Sequence, residues 1–207
     1  MTVGVLILAG GEGRRMGGQD KGWCVQNNKT FIEIALQQIQ RQTTMLDQAV
    51  TIVISANRNL PDYLSLGHPV FSDIRSGYCG PLAGIEAVMF EPSLSHINRW
   101  ITWPVDSLNV PDDYLLNMLA SESKVSFIKQ HRRAHYAHLS LSKELKNSLS
   151  SYLDSKHNSI KGWLQRFSRY GGRVHEIDMS FHAPITNCNQ FESVKNNCRI
   201  EKNPMLR

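Results

Sequence analysis

The chain has 207 residues, 41% hydrophobic and 20% charged, a balance ordinary for a folded globular protein and unlike that of a disordered one. Its formal net charge of +5 favours anionic partners, but no run of lysine and arginine is long enough to predict nucleic-acid binding. The four cysteines are scattered without a C-x-x-C pair, so neither a disulfide framework nor a zinc site is predicted. No segment approaches the roughly 20 apolar residues of a membrane span, and the start lacks the basic region of a signal peptide. We therefore expect a cytoplasmic protein.

Hydrophobic patterning predicts strands alternating with helices. In chain order, the first half gives a strand at 3–9, a helix opened by a Thr30–Glu33 capping box and fading near 43, a strand at 49–55, a short helix at 61–66, a short strand at 69–71 and a helix at 82–90. The second half gives a strand at 100–104, a helix with Pro111 near its first position, strands at 125–129 and 135–141, helices at 142–153 and 160–170, a strand at 173–177 and an Asn189–Glu192 capping box.

This alternation predicts one three-layer α/β domain with a mostly parallel sheet over residues 1–195, followed by a polar tail at 196–207 whose composition is typical of disorder. In such sheets, ligands bind beyond the carboxyl ends of the strands where the strand order reverses. Three segments leave predicted strands with residues suited to chemistry: LAGGEGRRMGGQDKG, SANRN and WPVDS.

The glycine-rich stretch at residues 8–22 predicts a phosphate-binding loop. Glycines let backbone N–H groups approach a ligand closely, and consecutive amides turned inward form a concavity for anions. Two standard phosphate loops do not fit. Lys21 follows an aspartate and precedes a glycine, unlike the lysine of a P-loop, and Met16 stands where a dinucleotide fingerprint needs its third glycine.

The stretch L-A-G-G-x-x-x-R-M-G-G-x-D-K-G instead resembles the signature of the nucleotidyltransferases of the sugar-nucleotide pyrophosphorylase type, and most closely that of the molybdenum cofactor guanylyltransferase (MobA-like NTP transferase) family. The segments SANRN, GPLAGI, P-V-D, HYAHLSL and ITNCNQFE follow in the family's order, so the resemblance covers about residues 3–195. It implies a Rossmann-like fold of the nucleotide-diphospho-sugar transferase type. The implied reaction transfers GMP from GTP to the phosphate of molybdopterin and releases pyrophosphate.

The resemblance also implies roles for individual residues. Lys21 would contact the α-phosphate, Arg15 would contact the β- and γ-phosphates, and Asp106 would bind Mg²⁺, the implied cofactor. Further nucleotide-binding residues would be Leu8, Ala9, Gly10, Gly11, Ser55, Asp73, Gly80, Pro81 and Leu82. The residues themselves also allow simpler interpretations: a solvated lysine, a turn or cap aspartate at 106, an Asx-turn at 73, and a loop-to-helix junction at Gly80.

For the second substrate the resemblance points to Asn187, Asn189 and His135. Asn189 also fits a helix N-cap, and a basic surface hairpin explains His135 with its cationic neighbours equally well. The sequence departs from the family pattern near this side, in P-V-D-S-L at 104–108 and in H-Y-A-H-L at 135–139. Ser55 stands where asparagine is common, and Asn57 has the wrong spacing to replace it.

The leading hypothesis is a Mg²⁺-dependent guanylyltransferase acting on molybdenum cofactor, with molybdenum insertion proteins and molybdoenzyme chaperones as candidate partners. L-A-G-G is the guanine-type pattern within the resemblance, whereas related cytidylyltransferases have L-A-A-G. Two alternatives stay open: a nucleotidyltransferase that uses CTP or another acceptor, and a non-catalytic protein that holds the cofactor or a nucleotide.

Overall fold

The computed structural model describes residues 2–11 and 18–187. The strands in these ranges are β1 (Val3–Leu8), β2 (Val25–Gln26), β3 (Lys29–Thr30), β4 (Val50–Ser55), β5 (Val70–Phe71), β6 (Arg99–Pro104), β7 (Val125–Gln130), β8 (Arg133–Ser142) and β9 (Val174–Asp178). The α-helices are α1 (Phe31–Thr43), α2 (Leu60–Leu64), α3 (Pro81–Phe90), α4 (Tyr114–Ala120), α5 (Lys146–Asp154) and α6 (Ile160–Arg169). Short 3₁₀ helices occur at Lys21–Trp23, Pro92–Leu94 and Lys143–Leu145.

Seven strands form one sheet in the order β5-β4-β1-β6-β8-β7-β9. Within this sheet β8 runs antiparallel to both of its neighbours, and the other pairs are parallel. The chain builds outward from β1 through β4 to β5 and then returns to the opposite side of β1 with β6. The strand order therefore reverses at β1, and a ligand cleft is expected at the carboxyl ends of β4, β1 and β6.

Helices cover both faces of the sheet, as the sequence predicted. On one face α1 and α4 pack onto the sheet through residues such as Phe31 and Leu115. On the other face α3, α5 and α6 contribute residues such as Ile85, Leu149 and Trp163 to a second core cluster. β1 and β6 are buried along nearly their whole length, because a parallel strand between two helical layers has no solvent face.

Most predicted elements are present with ends shifted by a few residues, and the Thr30 capping box is confirmed, with Thr30 accepting from the Glu33 amide and Glu33 from the Thr30 amide. The helix expected near Pro111 begins at Tyr114, since residues 111–113 form a turn that the Tyr114 amide closes onto the Pro111 carbonyl. The helix predicted over 142–153 is a 3₁₀ turn followed by α5, which starts at Lys146.

The β2–β3 hairpin was not predicted, and its two-residue turn is formed by Asn27 and Asn28 at φ 51° and 62°. Asparagine is one of the few residues that tolerate this left-handed conformation, so the hairpin forms without a glycine. The predicted Asn189–Glu192 capping box and the 196–207 tail lie outside the described residues. No helix within the described ranges is long and apolar enough to span a membrane.

Candidate active site at the carboxyl ends of the central strands

The cleft forms where three parallel strands end side by side. Leu8 of β1 lies in register with Ser55 of β4 and with Pro104 of β6. Most of the predicted nucleotide-binding residues lie around this point, and so does Tyr78, for which no role was predicted. The lining consists of Leu8, Ala9, Gly10, Gly11, Lys21, Ser55, Asp73, Tyr78, Gly80, Pro81, Gly84, Pro104, Val105, Asp106 and Ala137.

Two of the three predicted catalytic residues meet in this cleft. Lys21 opens a 3₁₀ helix after the glycine-rich stretch, and Asp106 lies in the turn that follows β6. The Lys21 Nζ donates to Asp106 Oδ2 at 2.7 Å, although the residues are 85 positions apart in sequence. The fold thus places a cation and a carboxylate at one point of the cleft. The third predicted residue, Arg15, lies outside the described residues.

Asp20 fixes the backbone that carries Lys21. Its Oδ1 accepts from the Gly22 amide at 3.1 Å and from the Tyr63 hydroxyl at 2.7 Å, and its Oδ2 accepts from Asn59 at 3.0 Å. Burial raises the pKa of Tyr63 far above its usual range, so this hydroxyl remains a donor. A Cβ on Gly22 would lie 2.1 Å from the Tyr63 oxygen, so only glycine allows this close approach.

Arg58 joins the two described ends of the glycine-rich stretch. Its guanidinium donates to the Gly18 carbonyl at 2.6 Å and to the carbonyls of Gly11 and Gln19 at 2.9 Å each. A planar fork of donors suits several converging carbonyl oxygens, which a lysine could not satisfy together. The SANRN segment was predicted to serve the site, but no role was predicted for Arg58. The signal in the sequence is an arginine that directly follows a predicted strand, in a chain whose first predicted strand leads into a glycine-rich stretch.

Asn57 contacts two residues that line the cleft, Asp73 and Gly10. Its Oδ1 accepts from the Asp73 amide and its Nδ2 donates to Asp73 Oδ2, both at 2.9 Å. A longer contact of 3.4 Å joins Nδ2 to the Gly10 carbonyl. Burial raises the pKa of the Asp73 carboxyl, and the hydrogen bond from Asn57 opposes that rise. Asn57 therefore links the glycine-rich stretch to Asp73, while Ser55 lies buried beneath them.

The start of α3 closes the opposite wall of the cleft. Gly80 precedes the helix at φ 71°, a conformation that favours glycine, and Pro81 occupies the first turn. A Cβ on Gly84 would lie 2.2 Å from the Ser55 hydroxyl oxygen, so α3 packs directly on the end of β4. Leu82, predicted as a nucleotide-binding residue, is fully buried in the core cluster behind this wall.

An ion pair that the sequence analysis missed holds the loop between Asp73 and Gly80. Arg75 donates from Nε and from one terminal nitrogen to the two carboxylate oxygens of Glu86, each at 2.6 Å. The Glu86 side chain is 1% exposed, and Arg75 also contacts Asp154 and Ser150 of α5. Nothing in the sequence marked this pair, because its partners meet only after α3 and α5 pack together.

The residues predicted for the second substrate divide into three cases. Asn187 lies beside the Asp106 turn, where its side chain contacts Ser107 at 3.0 Å and the backbones of the two residues form an antiparallel bridge. His135 lies on β8 and is partly buried, and burial, assisted by the charge of Arg133, lowers its pKa. Its ring centroid is 6.1 Å from that of His138. Asn189 lies outside the described residues.

The donor atoms of the cleft suit magnesium. Asp73 and Asp106 both line it, and Mg²⁺ takes one or two carboxylates and completes its shell with water and phosphate oxygens. The described ranges contain no cluster of three or more histidine, cysteine, aspartate or glutamate side chains arranged for a metal.

Together these features define a class: an α/β protein whose strand-reversal point brings Gly10 and Gly11, a lysine and a carboxylate together in one cleft. The family model for the MobA-like NTP transferase domain matches residues 5–171, and the chain belongs to this family. The predicted family and fold are thereby confirmed.

Individual relatives agree with this assignment. A Shewanella loihica protein named molybdenum cofactor guanylyltransferase is 33% identical over 165 residues, which cover 78% of this chain and 80% of the relative. A protein of the same name from Mannheimia succiniciproducens is 36% identical over 157 residues, covering 74% and 78%. The crystal structure of molybdopterin-guanine dinucleotide biosynthesis protein A from Archaeoglobus fulgidus shares the fold with a TM-score of 0.68 at 18% identity, covering 93% of this chain and 95% of that one.

Proposed function

We propose that this protein transfers GMP from GTP to the terminal phosphate of molybdopterin in molybdenum cofactor and releases pyrophosphate. The observation that carries the proposal is the Lys21–Asp106 pair at the carboxyl end of β6, in a chain about one-third identical to proteins named for this activity. The L-A-G-G form of residues 8–11 supports GTP as the donor nucleotide, within the resemblance described above.

The reaction needs one bond to form and one to break. An oxygen of the acceptor phosphate attacks the α-phosphorus of GTP, and the bond between that phosphorus and the α–β bridging oxygen breaks as pyrophosphate leaves. No covalent enzyme intermediate is required, because positioning and charge stabilisation can carry phosphoryl-type transfer. In this proposal Lys21 contacts the α-phosphate and stabilises the charge that develops on its oxygens. Arg15 contacts the departing pyrophosphate.

Asp106 would hold Mg²⁺, with Asp73 as the second carboxylate of the same cleft. When bound, Mg²⁺ supplies positive charge to phosphate oxygens and so lowers the cost of the additional negative charge in the transition state. The Lys21–Asp106 bond at 2.7 Å has a consequence for binding. In this proposal, entry of the triphosphate breaks the Lys21–Asp106 ion pair. Lys21 then contacts a phosphate group in place of the carboxylate, and Asp106 becomes available to Mg²⁺.

The remaining nucleotide-binding residues would hold the base and ribose. The backbone at residues 8–11 and the wall formed by Gly80 and Pro81 face each other across the cleft, with Ser55 and Asp73 at its base. On the far side of Asp106, Asn187 would contact the acceptor. We use "acceptor side" for Asn187 and the segment 185–187 that carries it. Asn189 and His135 are further candidates for the same role.

Pyrophosphate release tests the function directly. The protein is incubated with Mg²⁺ and either GTP or CTP, each with and without freshly prepared molybdenum cofactor. We expect release that requires both GTP and the cofactor. Release with CTP would instead favour the cytidylyltransferase alternative, and tight nucleotide binding without release would favour a non-catalytic binding protein.

A further inference from the structure

A buried series of hydrogen bonds runs from the end of β6 to the acceptor side. The Tyr114 hydroxyl donates to the Thr102 carbonyl at 2.6 Å, and His138 Nδ1 lies 3.2 Å from the Tyr114 oxygen. The opposite ring nitrogen, His138 Nε2, lies 3.0 Å from Ser107 Oγ, which in turn lies 3.0 Å from the atom placed as Asn187 Oδ1. Ser107 and His138 are each 1% exposed, so neither can touch a substrate directly.

The hydrogen bonds of Tyr114 determine which ring nitrogen of His138 carries a hydrogen. A tyrosine hydroxyl has a single hydrogen, and that of Tyr114 is committed to the Thr102 carbonyl. The Tyr114 oxygen can therefore only accept from His138. It follows that His138 Nδ1 carries a hydrogen and donates it.

Burial determines the charge of the His138 ring and, with it, the direction of the hydrogen bond to Ser107. Burial, assisted by neighbouring His135, lowers the pKa of His138 to about 3, so the ring is neutral near pH 7. Because the neutral ring carries its hydrogen on Nδ1, Nε2 is an acceptor, and the Ser107 hydroxyl donates its hydrogen to it. Ser107 then has no hydrogen left for Asn187, so the atom placed as Asn187 Oδ1 must be the NH₂ nitrogen, and the side-chain amide is turned over to donate to Ser107 Oγ. The two orientations of a side-chain amide have the same shape, and the hydrogen-bond network decides between them.

We propose that His138 and Ser107 are positioning residues, which fix the Asn187 side chain beside Asp106 through a directional series of hydrogen bonds from Asn187 to Ser107, to His138 and to Tyr114. The backbone supports the same contact, because the Leu108 amide donates to the Thr186 carbonyl at 3.1 Å next to the Ser107–Asn187 bridge. Ser107 and His138 come from the two segments in which the sequence departs from the family pattern, at 104–108 and 135–139.

The proposal rests on the proposed function in one respect, that Asn187 faces the acceptor. It assigns no effect on GTP, because neither His138 nor Ser107 lines the part of the cleft formed by residues 8–11 and 80–84. A defect at His138 should therefore weaken binding of the acceptor and leave binding of GTP unchanged. A merely structural role would weaken both or neither.

Two substitutions of the same histidine separate the bonds. In His138→Asn the amide lies near the former Nδ1, so it keeps the donor to Tyr114 and loses contact with Ser107. In His138→Gln the longer amide reaches the former Nε2, so it keeps an acceptor for Ser107 and loses the donor to Tyr114. Each variant loses one hydrogen bond of the buried series, so their thermal stabilities should be similar, and general destabilisation cannot account for a difference between them.

We expect His138→Asn to raise the KM for molybdenum cofactor about tenfold, the effect of losing roughly 1.4 kcal/mol of binding, with kcat and the KM for GTP unchanged. His138→Gln should stay close to the unmodified protein. The Leu108 amide should exchange with deuterium faster in His138→Asn than in His138→Gln, a readout that needs no activity. In ¹⁵N NMR of the unmodified protein, His138 should show the neutral ring protonated at Nδ1 at pH 7.

Equal KM values and equal Leu108 exchange in the two variants would overturn the proposal, as would a His138 ring that is charged or protonated at Nε2. If the unmodified protein transfers no GMP to molybdenum cofactor, the proposed function fails. The Leu108 exchange and the ring tautomer then still decide whether His138 and Ser107 position the Asn187 segment.

Discussion

Two groups of residues meet at the turn after β6 and use different kinds of bond. The nucleotide side comprises residues 8–11, 18–21, 73–84 and Asp106, and there Lys21 and Asp106 form an ion pair whose side chains keep 22% and 12% of their surface exposed. Ser107 and His138, which support the acceptor side, are almost fully buried, and the bond between them joins neutral groups. In the proposed reaction a charged substrate replaces either partner of the ion pair, whereas Ser107 and His138 hold Asn187 without touching a substrate. The turn would then carry one contact that opens during the reaction and one that stays closed.

The largest effect should follow from removing the charge at Asp106. Asp106→Asn keeps the shape of the side chain but removes the charge proposed to hold the metal, and we expect GMP transfer to fall about 1,000-fold, the upper end for loss of one preorganised electrostatic group. Pyrophosphate release at saturating GTP and cofactor measures this. Ser107→Ala, one residue further along, is the matched control and should reduce the rate far less.

Unfolding in urea is the second control for Asp106→Asn. Because the ion pair is partly exposed, its loss should change the free energy of unfolding by only about 1 kcal/mol. Turnover near that of the unmodified protein would contradict the proposed chemistry at this site. A collapse of stability would mean that the pair is mainly structural.

The second largest effect should be on stability, at the wall of the nucleotide side. Arg75→Met leaves the buried Glu86 carboxylate without its bidentate partner, and we expect the free energy of unfolding to fall by about 3 kcal/mol. Glu86→Gln should cost less, because Arg75 keeps its contacts with Asp154 and Ser150 at the surface of α5. Urea unfolding of both variants measures the difference. Equal losses of unfolding free energy in the two variants would show that leaving a buried carboxylate unpaired at Glu86 is not what destabilises Arg75→Met.

The sequence predicted the fold well because the signals for its elements are local. The apolar run of β1 and the Thr30 capping box each depend on residues within a few positions of one another, and both are present as predicted. The misjudged helix start near Pro111 has a tertiary cause. Gln42 of α1 donates to the Pro111 carbonyl and accepts from the Leu115 amide, and so binds the turn that precedes α4. No local pattern reports that contact.

For the site, the sequence indicated the residues but not their partners. Lys21 and Asp106 were predicted as separate contacts to phosphate and metal, and their bond to each other required the register of β1 with β6. Arg58 and His138 went unassigned, because each acts on groups 24 to 47 positions away. Such contacts exist only once the sheet has brought the strand ends together. The roles assigned from the resemblance to individual residues stay predictions.

The third effect concerns the backbone of the nucleotide side. Arg58→Met removes the donors that join the Gly11 carbonyl to those of Gly18 and Gln19. Hydrogen bonds to a charged group contribute roughly 1.5–3 kcal/mol each, and water replaces them in part. We therefore expect the KM for GTP to rise about tenfold or more. Initial rates at varied GTP measure it. The KM for the acceptor should change little.

Arg58→Lys is the matched variant because it keeps the charge and loses the planar fork. It should recover only a minor part of the GTP binding, since one ammonium group cannot serve three diverging carbonyls. Added guanidinium ion should improve Arg58→Met and leave the unmodified protein unchanged. Full recovery by lysine would mean that charge alone, and not the geometry of the clamp, supports the loop.

The last effect is a pH dependence of the free energy of unfolding that arises from His138. The pKa of His138 in the folded protein is about 3, below its usual value of 6.5. As the pH falls below 6.5 the unfolded chain therefore binds a proton at this residue, whereas the folded protein does so only near pH 3. This difference in pKa contributes to the free energy of unfolding. The contribution is fully present above pH 6.5 and is lost progressively as the pH falls towards 3. Between pH 7 and pH 5 the loss should be about 2 kcal/mol.

His138→Gln isolates this contribution, because carboxylates and His135 titrate alike in both proteins. Urea unfolding at pH 7, 6 and 5 should show the stability advantage of the unmodified protein over His138→Gln shrinking with each step. Equal slopes in the two proteins would contradict a neutral, buried His138. The same measurement on Arg58→Met tests the contrast between the two sides, because that substitution leaves His138 in place and its cost should not follow the titration of His138.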